Sequence, residues 1–422
     1  MQTRETNWSG NYVYEALELL RPRSLAELAE IVVDAEQVRA LGSRHSFTDL
    51  ADSPGTLVSL GDLPQDVEID GEAGVVRVSA GVTYAHLSTE LYRAGWALGG
   101  MASLPHITVA GAVATGTHGS GDRVGSLASA VRAVETLGAD GRPRTIGRGE
   151  SGFDGQVVSL GALGVVTHLT LDVEPTFQVR QDVHLALGWD DLVEKFDAIM
   201  GSAYSVSVFT DWVRSERNQV WVKSRVQPDG GTFVDPLGAL DLSGLSPAVA
   251  MTHMLRGAPE EALTAQLGEP GPWHERLPHF RMEFTPSRGA ELQSEYFVPR
   301  RHAAAAVAAL HEAGPGFADQ LQVGEIRTIA GDQLWLSGAY GEDTVAFHFT
   351  WLLDPPAVYA VLPVIEAALR PFGGRPHWGK CFTVEAPELR EVYPRLVDFA
   401  TLRDDLDPDR KFGNGFLERY LV

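Results

Sequence analysis

The twelve residues Ala110-Gly-Ala-Val-Ala-Thr-Gly-Thr-His-Gly-Ser-Gly121 hold a single side chain larger than valine, that of His118. Such a run has too little side chain to anchor an ordinary helix or strand. It suits a place where backbone must pass close to something else. Upstream, from Ser103, small residues and hydroxyls again dominate: Ser103, Thr108, Gly111, Thr115, Gly116 and Thr117. That composition lets a backbone lie against a flat ligand while serine and threonine supply hydrogen bonds. A tightly packed internal turn would use the same residues.

Around this run the chain alternates helices, hairpins and turns. Ser24-Leu-Ala-Glu27 is a capping box, followed by Leu25, Leu28, Ile31 and Val32 on one helical face. Val38–Leu41 reads as a short strand. Val67–Ile69 and Val75–Val78 read as a hairpin, and Tyr84 to Trp96 as a helix. Val165–Val173 is a strand closed by Glu174-Pro175, where a boundary is expected. Beyond it come strands at Gln219–Lys223, Leu292–Val298, Gln322–Ile329 and Thr344–Trp351, with helices at His302–Glu312 and Val358–Leu369. Residues 227–290, rich in proline and glycine, give no clear pattern. The pattern is mixed α+β, not regular βαβ repetition.

Charge narrows the function classes. A formal net charge of −22 opposes binding to nucleic acid or to anionic lipid. No stretch approaches a membrane span, and the first residues lack a signal-peptide core, so a cytoplasmic protein is expected. The one cysteine, Cys381, allows no intrachain disulfide. His106 and His118 lack the i, i+4 pairing of a helical zinc site, and no metal is expected. Only four residues are lysines, Lys195, Lys223, Lys380 and Lys411, so an isolated lysine is informative.

Gly147-Arg-Gly-Glu-Ser-Gly152 matches a dinucleotide fingerprint, but the residues before it, Arg142-Pro-Arg-Thr-Ile146, are not a buried strand. A surface loop is the better reading. Leu41-Gly-Ser-Arg-His-Ser46 is a loop of the kind whose successive N–H groups bind phosphate. Its His45 is not needed for that and, as a neutral imidazole, can act as a nucleophile. Glu325 and Arg327 are two apart and share a strand face, as do His348 and Thr350, while Phe347, Phe349 and Trp351 take the opposite face. A carboxylate, guanidinium, imidazole and hydroxyl on one surface suit a polyol, whose hydroxyls each need a donor and an acceptor. Lys380 sits in Pro376-His-Trp-Gly-Lys380, an aromatic and glycine-bearing setting.

Taken in order, the 41–46 loop, the 101–118 segment, Gly324-Glu-Ile-Arg-Thr328, Phe347-His-Phe-Thr-Trp351, Arg375-Pro-His-Trp-Gly-Lys380 and Asp407-Pro-Asp-Arg-Lys-Phe-Gly-Asn414 resemble the vanillyl-alcohol-oxidase superfamily of FAD enzymes. Within it the chain is most similar to the aldonolactone oxidase-like branch and its actinobacterial alditol (xylitol) oxidases. The resemblance implies an α+β, two-domain FAD-binding fold of the PCMH type with a mixed-sheet substrate domain. The FAD-binding part would cover 1–175, the substrate part 176–375, and 376–422 would return to the first. FAD would be bonded through His45, with Leu41, Gly42, Ser43, Arg44 and Ser46 at its pyrophosphate. Ser103, Thr108, Gly111, Thr115, Gly116, Thr117, His118 and Val166 would line it. One departure stands out: relatives commonly have glycine before the histidine, and here Arg44 would carry a steric cost if its φ were positive.

The implied reaction passes hydride from a terminal CH–OH of xylitol, sorbitol or a similar polyol to the flavin, and O₂ then leaves as H₂O₂. His348 would take the hydroxyl proton and Lys380 would stabilise developing alkoxide. Ser103, Glu325, Arg327 and Thr350 would bind hydroxyls. The expected partners are a small polyol and O₂, with a monomer as the assembly. The rivals are an aldonolactone oxidase or dehydrogenase on the same scaffold and a non-catalytic carbohydrate-binding protein.

Overall fold

The computed structural model describes residues 5–227, 233–255, 257–284 and 290–421. Near the N-terminus Ser24 caps the helix Leu25–Asp34, its hydroxyl accepting from the Glu27 N–H at 3.1 Å. The Glu27 carboxylate reaches one residue further than the cap, accepting from the Arg23 N–H at 2.7 Å. Glu18–Leu20, Thr56–Val58 and Val38–Ala40 form a small parallel sheet, and the last of these leads into the 41–46 loop.

A five-stranded antiparallel sheet follows, in the order Val67–Asp70, Val75–Ser79, Val165–Asp172, Val131–Leu137, Pro143–Gly147. The helix expected from Tyr84 to Trp96 ends at Arg93, because Gly95 turns the chain at φ +85°. Trp96–Ala97 then pairs with Glu174–Pro175. The small-residue run does contain a helix, Val109–Ala114, only six residues long. Gly116, at φ +69°, ends it, a conformation that costs glycine little. The Gly147–Gly152 match is an exposed turn in which the Glu150 carboxylate accepts from the Gly147 N–H.

The large sheet holds the long strands in the order Gln178–Leu185, Gln219–Arg225, Ser205–Thr210, Leu321–Ile329, Thr344–Leu352, Glu291–Pro299, with short edge pieces at 246–247, 271–272 and 375–376. Every pairing in it is antiparallel. Its apolar face packs under the helices Ala303–Ala313 and Pro355–Leu369, where Phe347, Phe349, Leu310, Leu362 and Ile365 are buried. Phe349 stacks on Trp351 with ring centroids 5.4 Å apart. Among the described residues no helix is long and apolar enough to cross a membrane.

The C-terminal segment is tied back to the first hundred residues by Asn414. Its carbonyl oxygen caps the helix Gly415–Tyr420 by accepting from the Leu417 N–H at 3.0 Å. Its amide donates to the carbonyls of Asp49, Leu50 and Asp52 at 3.1, 3.0 and 2.9 Å. Asn414→Ala removes the cap and strands three carbonyls, so stability should fall by about 1–3 kcal/mol, read from urea unfolding.

Candidate active site

One cavity of about 540 Å³ runs between the small-residue segment and the polar face of the large sheet. Its first wall is the 41–46 loop. The Leu41 N–H bonds to the Val58 carbonyl at 2.8 Å, which fixes the start of the loop on the parallel sheet. Arg44 is at φ +65°, a region that costs a side-chain-bearing residue about 1–2 kcal/mol. Two contacts hold it there: its carbonyl accepts from the Trp8 N–H at 2.9 Å, and its guanidinium pairs with Glu5. His45 stacks on Trp8 with centroids 4.9 Å apart, and its Nδ1 lies 3.0 Å from the Ser43 carbonyl. A carbonyl only accepts, so Nδ1 carries hydrogen. Burial pushes the His45 pKa down to about 4, leaving a neutral imidazole with one free lone pair.

The second wall is the 101–118 segment. Ser103, Thr108, Gly111, Thr115, Thr117 and His118 line the cavity, with Val166 from the neighbouring sheet. Gly116 does not: it spends its positive φ on turning the chain and is not part of the lining. Thr108 marks where the two walls meet. Its N–H bonds to Ser43 Oγ at 3.2 Å, and a Cβ on Gly42 or Gly111 would stand 2.5 or 2.8 Å from its Oγ1. That buried hydroxyl has no hydrogen-bond partner. Close glycine backbones, an orphaned hydroxyl and a loop of phosphate-binding type fit a large, flat, phosphate-bearing cofactor.

The third wall is the polar face of the large sheet. Glu295, His348 and Glu325 stand opposite one another across three neighbouring strands. Arg327 and Thr350 lie two residues along on the same face. All four residues paired by strand spacing, Glu325, Arg327, His348 and Thr350, are buried and line the cavity. Lys380 comes from the segment after Arg375–Pro376. The His377 N–H and Cys381 N–H bond to the carbonyls of Glu295 and Gln293 at 2.9 and 2.8 Å, laying that segment on the sheet edge.

Glu295 is the residue that sequence reasoning missed. Its side chain is 1% exposed, yet it faces four basic groups. Arg327 pairs with Oε1, Lys380 Nζ donates to Oε2 at 2.7 Å, His118 Nε2 lies 3.2 Å from Oε1, and His348 Nδ1 lies 3.8 Å from Oε2. Burial raises its pKa, but Arg327, Lys380 and His118 outweigh burial and hold it well below the ordinary carboxylate value. The available signal was a carboxylate beside Tyr296-Phe297-Val298, on the same strand face as Glu291 and Gln293. Lys380 Nζ also contacts His348 Nδ1 at 2.7 Å, and His348 Nε2 lies 3.1 Å from Thr350 Oγ1. Burial and the Lys380 charge pull His348 down to about 4. Burial also lowers Lys380, against the pull of Glu295. Lys223 and His279, equally unforeseen as site residues, stand behind Glu325.

A cofactor-sized cavity lies between a phosphate-type loop and a buried polar sheet face. Residues 16–147 match the family model described as FAD binding domain, and residues 286–420 match D-arabinono-1,4-lactone oxidase. The chain is 48% identical to the alditol oxidase of a Streptomyces species, over 100% of both chains. It is 29% identical to L-gulono-1,4-lactone dehydrogenase of Mycobacterium tuberculosis, covering 99% of this chain and 98% of that one. The crystal structure of cholesterol oxidase from B. sterolicum superposes with a TM-score of 0.80 at 14% identity, covering 100% of this chain and 97% of that one. The chain belongs to the alditol oxidase family of FAD-dependent oxidoreductases.

Glu295→Gln keeps the shape but leaves Arg327 and Lys380 without their shared carboxylate. Unfolding free energy should fall by about 3–5 kcal/mol near neutral pH. A carboxyl depressed in the folded state stabilises above its unfolded pKa, and that contribution is lost as pH falls through the folded value. The gap between wild type and variant should therefore narrow in acid, which urea titrations at several pH values would read.

Proposed function

We propose that this protein oxidises the terminal hydroxyl of open-chain sugar alcohols such as xylitol and sorbitol, with FAD bonded to His45 and O₂ reduced to H₂O₂. The observation that carries the reading is the constellation of buried Glu325, Arg327, His348 and Thr350 with half-buried Lys380, lining the same cavity as the 41–46 loop. The alditol oxidase relative supports the substrate class. In this reading residues 1–175 and 376–422 hold the cofactor, 176–375 hold the substrate, and the protein works in the cytoplasm as a monomer.

FAD, when bound, supplies the hydride acceptor and the route for electrons to O₂. Leu41, Gly42, Ser43, Arg44 and Ser46 hold its pyrophosphate, while Ser103, Thr108, Gly111, Thr115, Thr117, His118 and Val166 line it. The chain's own residues bind the polyol and move one proton. Glu325 accepts from substrate hydroxyls and Arg327 donates to them, and Ser103 and Thr350 do either. His348 accepts the hydroxyl proton at Nε2 only in the tautomer with hydrogen on Nδ1. Nδ1 then faces Lys380 at 2.7 Å, so Lys380 must begin as the neutral amine. As Nε2 gains the substrate proton, the Nδ1 hydrogen passes to Nζ and ends on an ammonium that Glu295 stabilises. Lysine and histidine thus take the proton as a unit, and burial, which lowers the Lys380 pKa, favours its neutral form.

Three measurements test the reading. Wild-type kcat/KM should be at least ~100-fold higher for xylitol than for butanol, since a chain without hydroxyls leaves charged groups desolvated and unpaired. Peroxide should form in air with xylitol; turnover of an aldonolactone but not xylitol would favour the lactone oxidase reading suggested by the 286–420 match. Denatured wild type should retain its flavin, and denatured His45→Ala should release it.

Lys380→Met should keep flavin absorbance and slow anaerobic flavin reduction by about 10²–10⁴-fold. In wild type, kcat/KM should rise with pH until the Lys380–His348 pair is deprotonated. In Lys380→Met that rise should be lost or displaced, because the proton no longer has Nζ as its destination.

A further inference from the structure

We infer that Lys223 and His279 form a buried relay that orients Glu325 for polyol recognition, so that Lys223, which does not line the cavity, sets substrate preference through His279. The inference rests on the proposal that Glu325 binds substrate hydroxyls. Lys223 is 1% exposed and makes no ion pair among the described residues. Burial pushes its pKa down to about 7, and as ammonium or amine its buried hydrogens need acceptors. They have them: the Leu277 carbonyl at 2.5 Å, the Pro278 carbonyl at 3.2 Å and His279 Nδ1 at 3.1 Å.

Those contacts determine what His279 does. The Glu325 carboxylate only accepts, so in the neutral ring Nδ1 accepts from Lys223 and the hydrogen lies on Nε2. That nitrogen donates to Glu325 Oε1 at 2.9 Å. The ring cannot swing away: Phe209 and Trp221 meet it edge-on, with centroids 5.3 and 5.4 Å off. Its backbone is held too, since the His279 carbonyl accepts from the Thr264 N–H at 3.0 Å. One oxygen of Glu325 is therefore committed to His279. The other, Oε2, lies 3.7 Å from Arg327 Nε, whose hydrogen has no partner. The relay thus fixes the Glu325 acceptor beside the Arg327 guanidinium, both of which line the cavity, a pairing of acceptor and donor that adjacent hydroxyls of a polyol match.

The test compares Lys223→Met, His279→Gln and His279→Leu in the holoenzyme. Methionine keeps the stem and removes the donors. Glutamine retains an oxygen to accept from Lys223 and an amide to donate to Glu325; leucine has neither. For Lys223→Met and His279→Leu, the xylitol KM should rise about tenfold with kcat changed less than about threefold, and flavin absorbance should hold. Butanol, which has no adjacent hydroxyls, should lose less, so the xylitol-to-butanol ratio should fall by about tenfold. His279→Gln should restore both values to within about threefold of wild type. An unchanged xylitol KM in Lys223→Met or His279→Leu would overturn the relay. So would parallel losses on xylitol and butanol, or a His279→Gln variant no better than His279→Leu. If Lys223→Met does not fold, the two His279 variants decide. Failure of the polyol reading itself is separate: it shows in wild type, as equal efficiency on xylitol and butanol.

Discussion

The Glu295 carboxylate is the charge on which the polar end of the cavity depends. Arg327, and Lys380 once it holds the proton, are like charges in a buried space; Glu295 is the nearest carboxylate to both, although Lys380 also contacts His348 at 2.7 Å. Two cations there would repel each other and lose hydration at once. A single carboxylate between them lets both stay, and Glu325 supplies a second negative charge 3.7 Å from Arg327. Basic groups and carboxylates alternate across the sheet face. That alternation allows a buried surface to offer donors and acceptors together.

The arrangement is delivered by strand register. Glu295, His348 and Glu325 are level across three strands, so a one-residue slip of any strand would turn its polar set into the aromatic layer beneath. Phe347, Phe349 and Trp351 on the reverse face make such a slip prohibitive, because they fill the space under the two covering helices. The hydrophobic layer therefore sets the polar one. Lys380 is brought in independently, by edge hydrogen bonds of its segment to Gln293 and Glu295. The same segment reaches the other wall, since the Gly379 carbonyl accepts from the Phe47 N–H at 2.9 Å. One short stretch thus joins the loop around His45 to the sheet around Glu295.

Arg44 shows how a local rule is overridden. A positive φ favours glycine, and an arginine there carries strain. The Trp8 backbone bond and the Glu5 pair hold the residue in place, and the stacked Trp8 ring fixes His45 beside it. The segment from Glu5 to Trp8 is therefore part of the cavity's construction, although nothing in its own pattern announced it.

The sequence by itself determined the elements whose side chains repeat with a period. Two-residue spacing put Glu325 with Arg327 and His348 with Thr350, and the capping box placed the first helix. The small-residue run marked a wall of the cavity, although its short helix was not foreseen. Tertiary structure alone decided which charges meet. Glu295 reads as one more strand carboxylate until its strand lies beside His348. Lys223 and His279, 56 residues apart, become a pair only when the loop after Leu277 folds under the sheet. The 227–290 region hid His279 because the local bonds of its described residues are irregular, with short strands and turns in place of a repeat. Periodicity reports which way a side chain points from its own element; ion pairing depends on long-range register and loop docking, which no local window contains.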